Sequence, residues 1–158
     1  MSGIRFLSLA SANNLTLVDL KMHVSERGPE GLVNLSLTAN LDSPETHASE
    51  DGSHIMVKCR PGFLITIKDS SSDRTFAEFE VETIAEFGCE ITDGNEPSWN
   101  DYEKLFCECM LCAYYFTRDK FYELTAMSSM RRLLLPNTFE TGMLEVVRNE
   151  LAEKRREE

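Results

Sequence analysis

One segment near the middle of the chain, residues 99–132, has apolar side chains on too many sides for a helix that packs against a single surface. A stripe with helical spacing is formed by Tyr102, Phe106, Cys109, Ala113, Phe116, Leu124 and Met127. Such a stripe, about 100° wide, is all that packing on one sheet requires. The remaining directions between residues 105 and 116 are filled by Leu105, Met110, Leu111, Cys112, Tyr114 and Tyr115.

A membrane span does not explain this excess, because the segment has no charge-free run of about 18 residues. We therefore expect one face of the helix to meet the chain's own sheet and another face to meet a partner. The predicted oligomer interface consists of Leu105, Met110, Leu111, Tyr114 and Tyr115.

The overall charge limits the classes of partner. The chain has 158 residues, a length typical of one domain, and a formal net charge of -11 at pH 7. Phosphates of nucleic acid and anionic lipid headgroups would both be repelled by such a surface. The first residues lack the apolar core of a signal peptide. We expect a cytoplasmic protein that binds no nucleic acid and does not insert into membranes.

The five cysteines do not suggest a metal centre. Cys107, Cys109 and Cys112 are close in sequence, but on a helix only Cys109 and Cys112 share a side, and no histidine lies nearby. Reduced thiols packed as small apolar side chains fit this pattern better than a metal site. We therefore predict neither a metal nor a cofactor.

The first ninety residues have the period-two alternation of β-strands. The pattern is strongest in residues 75–91, where apolar side chains alternate with Glu78, Glu80, Glu82, Glu86 and Glu90. We interpret the glutamates as a solvated sheet face, since nothing in the sequence pairs a raised with a lowered carboxyl pKa. Pro61 and Gly62 interrupt another strand pattern and predict a bend or bulge, because proline cannot donate to a strand ladder.

Helices follow the strands. Ser98 and Asp101 have the spacing of an N-terminal cap, and Thr138 has the position of a cap for a second helix. The predicted fold class is α+β, with an antiparallel four-stranded meander sheet followed by a long and a shorter helix. The predicted single domain spans residues 1–158, with the sheet at about 1–92, the long helix at 98–132 and the last helix at 139–156.

Motifs of enzymatic chemistry are missing from the sequence. It contains no glycine-rich phosphate loop, no nucleophile elbow and no zinc spacing. A non-catalytic binding protein is therefore the favoured class.

Residues 116–140, with the sequence FTRDKFYELTAMSSMRRLLLPNTFE, resemble the SecB family of export chaperones. In that family a long helix with an aromatic and basic segment is followed by a short apolar linker, and an Asn and a Phe open the last helix. Departures are the missing glycine-proline turn, the absence of the prolines usual in the long helix, and a different tail. They favour a divergent SecB-like protein of the kind associated with toxin–antitoxin systems over a general export chaperone.

The resemblance implies a holdase that binds unfolded or aggregation-prone polypeptides in apolar grooves without ATP. It also implies a homotetramer built as a dimer of dimers, with an antitoxin as one candidate client. Phe139 matches the family's groove phenylalanine, and Met143 lies one turn further along. Leu133 and Leu135 in the linker are added as client-binding candidates on physical grounds. These four residues would equally serve to dock the last helix on the core, and the sequence leaves both roles open.

Two other interpretations remain at this point. One is a small-ligand enzyme or carrier in which a sheet clasps a long helix, as in the hot-dog fold. The other is a non-catalytic subunit of a larger complex. The sequence does not identify the client, the exact oligomeric state or the choice between a general and a dedicated role.

Overall fold

The computed structural model describes residues 4–6, 14–26, 28, 31–91, 96–127, 133, 135 and 140–157. Within these residues, five strands precede two helices. The elements are β1 (Ile4–Phe6), β2 (Asn14–Val24), β3 (Val33–Ala48), β4 (His54–Asp69), β5 (Thr75–Ile91), α1 (Trp99–Met127) and α2 (Glu140–Glu157).

The strands form one antiparallel sheet. β3, β4 and β5 are joined as consecutive hairpin neighbours, whereas β2 crosses over and pairs with the far side of β5. The three-residue β1 continues that same edge by pairing with the end of β5. The predicted class, a four-stranded antiparallel sheet followed by a long helix and a shorter one, is confirmed. The strand order adds that only β3, β4 and β5 form the meander, while the return of β2 gives a Greek-key arrangement.

The alternation in β5 divides the sheet into two chemically different faces. Its odd-numbered residues from Phe79 to Cys89 are buried on the face that carries the helices. The glutamates lie on the other face, where Lys58 Nζ is 3.1 Å from Glu86 Oε1 and Arg60 Nη2 is 2.7 Å from Glu82 Oε1. These ion pairs are solvent-exposed, so each contributes little to stability, but they reduce repulsion along the glutamate row.

The irregularity predicted at Pro61 lies on the neighbouring strand instead. β4 keeps the same register with β5 on both sides of Pro61, from Cys59↔Ala85 to Gly62↔Glu82. The register with β3 shifts between Asp42 and Glu45, where Ser43 has a φ of 49°. The extra residue is therefore accommodated in the edge strand, whose outer side has no neighbouring strand among the described elements.

The start of α1 follows the capping prediction. The main-chain N–H of Ser98 donates to Asp101 Oδ2 at 2.8 Å, and the Ser98 hydroxyl donates to the same oxygen at 3.0 Å. The Asp101 carboxylate also lies in the first turn, where the helix dipole favours a negative charge. Residues 128–132 of the predicted helix and the predicted Thr138 cap lie outside the described residues.

The buried side of α1 differs from the predicted stripe. Every fourth residue is buried, in the series Asp101, Leu105, Cys109, Ala113, Thr117, Phe121 and Thr125, with Phe106, Met110 and Tyr114 beside it. Met127, which the predicted stripe includes, is 84% exposed. The difference arises because two threonines belong to the buried face, where Thr117 donates its hydroxyl to the Ala113 carbonyl at 2.8 Å.

Both helices cover the same face of the sheet. α1 packs on β4 and β5, and α2 packs on β3 and on α1. α2 contributes Val147 and Leu151 to the core. Arg148 Nε lies 3.1 Å from Glu103 Oε1, and the Arg155 guanidinium lies 4.3 Å from the centre of the Trp99 ring. These contacts place the end of α2 beside the start of α1.

The core position of Leu105 gives a first prediction. Leu105→Ala should lower the free energy of unfolding by about 2–5 kcal/mol, because a fully buried leucine leaves a cavity. Met127→Ala is the control and should change it by less than about 0.5 kcal/mol. Urea denaturation at several protein concentrations measures both. An unchanged unfolding free energy together with weaker subunit association would place Leu105 at an interface instead.

Candidate functional site

The candidate site lies where the second half of α1 meets the residues that join it to α2. Leu133 is half-buried there, and Leu135 is 2% exposed and belongs to the hydrophobic core. Phe139 lies outside the described residues, and the side chain of Met143, a residue of α2, is likewise outside the description. The structure thus places Leu133 partly buried against the core and Leu135 inside it, and the client-binding role of the four residues stays a prediction.

Two side chains of α1 hold the main chain of this segment. The N–H of Leu133 donates to Thr125 Oγ1 at 3.2 Å. Arg118 Nε donates to the carbonyl oxygen of Leu135 at 2.9 Å. Sequence reasoning did not select Thr125 or Arg118. Little in the sequence marks these two residues, because a threonine and an arginine in a helix are usually assigned to its exposed face.

Aromatic packing supports the helix behind the segment. The Phe121 ring meets the Phe79 ring edge-on, with centroids 5.5 Å apart, and so joins α1 to β5. One turn earlier, Lys120 Nζ lies 5.7 Å from the centre of the Phe116 ring. Phe121 is 1% exposed, so this part of α1 is fixed to the sheet.

The predicted oligomer interface is divided between the core and the surface. Leu105, Met110 and Tyr114 have no exposed surface, and the Tyr114 ring packs 5.9 Å from the Phe63 ring. Burial also raises the pKa of the Tyr114 hydroxyl. Leu111 is half-buried and Tyr115 is 43% exposed. In this arrangement only Leu111 and Tyr115 have surface to offer a second copy, so the interface prediction now depends on them.

Further exposed apolar surface lies outside the predicted set. Tyr122 is 37% exposed on α1, and helical spacing places it on the same side as Leu111 and Tyr115. On β2, the neighbours Leu17 and Val18 are each more than 40% exposed at the position where the register with β5 shifts. Exposed apolar side chains that form a patch are typical of protein-binding sites. The alternation of β2 predicts a strand, but it does not reveal that the helices leave this strand partly uncovered.

The cysteine environments disfavour thiol chemistry. Burial, the largest cause, raises the pKa of Cys107 to about 11 and that of Cys89 to about 11. Burial also raises the pKa of Cys109, with contact to Cys59 as a further cause, and that of Cys112. Thiolates are the reactive form, so these thiols are poor nucleophiles and poor metal ligands at neutral pH.

The described residues contain no group of three or more His, Cys, Asp and Glu side chains placed to hold a metal ion. Among the described helices, none has the length and apolar character of a membrane span.

Comparison with known proteins finds matches among solved structures. No protein-family model matches the chain, and no curated protein matches its sequence. A SecB-like chaperone of Mycobacterium tuberculosis, solved in complex with a ChAD peptide from the HigA1 antitoxin, superposes with a TM-score of 0.54. The match has 19% sequence identity and covers 81% of this chain and 91% of the chaperone. A Streptococcus agalactiae protein of unknown function matches with a TM-score of 0.45 and 14% identity, over 85% of this chain and 99% of that one.

The order of strands and helices, the packing of both helices on one sheet face and this superposition define a class. The chain has a SecB-like fold. At 19% sequence identity, its likeness to the mycobacterial chaperone is one of fold.

The cysteine environments give a second prediction. The alkylation rate of Cys107 in the folded protein should rise with pH around a pKa of about 11, whereas the same thiol in denaturant should titrate near its ordinary pKa of 9.0. Because the pKa of Cys107 is higher in the folded than in the unfolded protein, the protonated thiol contributes to the free energy of unfolding below pH 9. This contribution is lost as the pH rises through about 11. Mass spectrometry of iodoacetamide-treated protein measures the rate at each pH. Equal titration curves in the folded and unfolded states would contradict the burial of this thiol.

Proposed function

We propose that this protein is a SecB-like molecular chaperone that holds unfolded or aggregation-prone polypeptides without ATP and without catalysis. The observation that carries the proposal is the fold similarity to a chaperone solved with a bound peptide, over 81% of the chain. The half-buried Leu133 supports it, since it offers surface for apolar side chains of a client.

The proposed client site combines Leu133 with Phe139 and Met143 from the predicted set. Burial of apolar client side chains supplies about 25 cal/mol per Å². A flexible methionine beside an aromatic anchor accommodates side chains of different shape, as a holdase requires. Leu135 is almost fully buried, so it is not proposed as a client contact.

The proposed client is an aggregation-prone polypeptide, and an antitoxin is the specific candidate. The support is the ChAD peptide of an antitoxin bound to the mycobacterial neighbour. The net charge of -11 adds long-range attraction for cationic clients at low ionic strength.

We propose that the chain works in the cytoplasm as a homotetramer, a dimer of dimers. The exposed apolar side chains of α1 and β2 support association, because each would lose water contact in an assembly. Leu111 and Tyr115 on α1 are the proposed contacts. Leu17 and Val18 on β2 add a second apolar surface at one edge of the sheet.

The hot-dog-like alternative gains no support from the fold. All strands among the described residues precede α1 in the chain, so α1 does not lie between described strands in sequence. A surface depression of about 300 Å³ beside α2 is lined by Pro44, Glu150, Glu153, Lys154 and Glu157. Such a charged and open depression does not resemble a mostly apolar ligand pocket.

Client binding gives a third prediction. The wild-type protein should suppress aggregation of a chemically unfolded reporter protein diluted into buffer without ATP. Phe139→Ala should weaken binding of the labelled reporter about tenfold or more, because an aromatic anchor supplies roughly 1.5–3 kcal/mol of apolar burial. Fluorescence anisotropy measures the affinity and light scattering measures the aggregation.

Leu32→Ala is the matched control, because Leu32 is 83% exposed and lies in the connection before β3. It should leave the affinity unchanged. A wild-type protein that holds no unfolded polypeptide would refute the chaperone proposal. Loss of the oligomer in Phe139→Ala would instead favour the docking role of this residue.

Assembly gives a fourth prediction. Light scattering during size exclusion should give a mass about four times the chain mass of 18.0 kDa. Tyr115→Asp should reduce that mass, because it places a charge in the proposed apolar contact. Leu64→Asp, on the opposite face of the sheet, should leave the mass unchanged. A monomeric wild-type protein would contradict the tetramer.

A further inference from the structure

Arg118 and Thr125 contact the main chain of Leu133 and Leu135 from one side of α1, and the Thr125 hydroxyl also lies 3.5 Å from the Leu133 carbonyl oxygen. Arg118 and Thr125 are seven residues apart, which is close to two full turns, so their side chains project in nearly the same direction. Thr125 accepts from the Leu133 N–H at 3.2 Å, and Arg118 donates to the Leu135 carbonyl oxygen at 2.9 Å. The segment is therefore fixed at two points only two residues apart.

Thr125 is unusually well placed for this task. Its side chain is buried, and its hydroxyl donates to the Tyr122 carbonyl at 3.1 Å, which leaves an oxygen lone pair for the Leu133 N–H. Thr117 provides a contrast within the same helix, because it is equally buried and its hydroxyl donates to the Ala113 carbonyl inside α1. One threonine thus holds the segment, and the other serves only its own helix.

Arg118 has a similar counterpart. Lys120 carries the same charge on the same helix, but its ammonium group lies 3.3 Å from Glu123 at the surface. The Arg118 guanidinium instead reaches across to main chain 17 residues away. Arg118 and Lys120 therefore carry the same charge, but Arg118 contacts the main chain of Leu135 and Lys120 contacts Glu123.

We infer that Thr125 and Arg118 are positioning residues for the client site, because they hold the main chain of Leu133 and Leu135 in the conformation that a client meets. The inference rests on the proposed function. Leu135 lies in the core and Leu133 is half-buried against it. Holding these two residues before binding spares the complex the entropy cost of ordering them, so Thr125 and Arg118 act on affinity through Leu133.

The fifth prediction compares Thr125→Val and Arg118→Gln with Thr117→Val and Lys120→Gln. The probe is a reporter polypeptide kept unfolded by alkylation of its thiols, and fluorescence anisotropy gives its Kd. The Kd should rise about tenfold in Thr125→Val and several-fold in Arg118→Gln, which corresponds to the loss of one hydrogen bond in each. The two control variants should stay within about twofold of wild type.

Two further measurements separate positioning from general stability. Hydrogen exchange of the Leu133 amide should be about tenfold faster in Thr125→Val than in Thr117→Val, because only the first removes its acceptor. Thr125→Ser, which keeps the hydroxyl, should restore both slow exchange and wild-type affinity.

The outcomes distinguish this inference from the proposed function. A wild-type protein that binds no unfolded polypeptide refutes the proposed function, and with it any role in client affinity. If wild type binds and Thr125→Val binds equally well, the proposed function stands and the inference is wrong. The inference is also wrong if Thr117→Val and Thr125→Val lose affinity alike, or if the Leu133 amide exchanges at the wild-type rate in Thr125→Val.

Discussion

The packing of α1 on the inner face of β4 and β5 is the contact on which the rest of the structure depends. Residues at every fourth position of the helix, from Leu105 to Phe121, enter the apolar face of the two strands. This face exists because buried and more exposed residues alternate along most of β4 and β5. With α1 packed on these strands, α2 packs beside it on β3. The helices leave the edge strand β2 partly uncovered.

The same packing divides the apolar surface of α1 into a part buried in the core and a part that faces solvent. A helix buried on a sheet and flanked by a second helix needs a wider apolar face than a helix on a sheet alone. Most of the apolar excess of α1 is used in this way, and Leu111, Tyr115 and Tyr122 remain toward solvent. Two polar side chains of α1 contact the proposed client site. Thr125 accepts a hydrogen bond from the Leu133 N–H, and Arg118 donates one to the Leu135 carbonyl oxygen.

Sequence reasoning reached the fold class, the cap at Ser98 and the solvated glutamate face, because each follows from local periodicity or from two residues close in sequence. It placed the buried stripe of α1 around residues such as Phe116 and Met127, since threonine counts as polar. Burial of Thr117 and Thr125 is possible only because the hydroxyls find backbone acceptors. The sequence predicts a bend or bulge at Pro61, whereas the bulge lies on β3 between Asp42 and Glu45, because cross-strand pairing is not encoded in either strand alone.

The sequence by itself determined which segments are strands and helices, since hydrophobic periodicity and capping residues act within a few positions along the chain. It also determined that the chain is acidic and that its long helix is too apolar for a single contact. Only the tertiary structure decided how that apolar surface is divided. Leu105, Met110 and Tyr114 lie inside and Tyr115 lies outside. The physical reason is that burial depends on which elements cover a face, and the return of β2 to β5 and the placement of α2 beside α1 are long-range contacts.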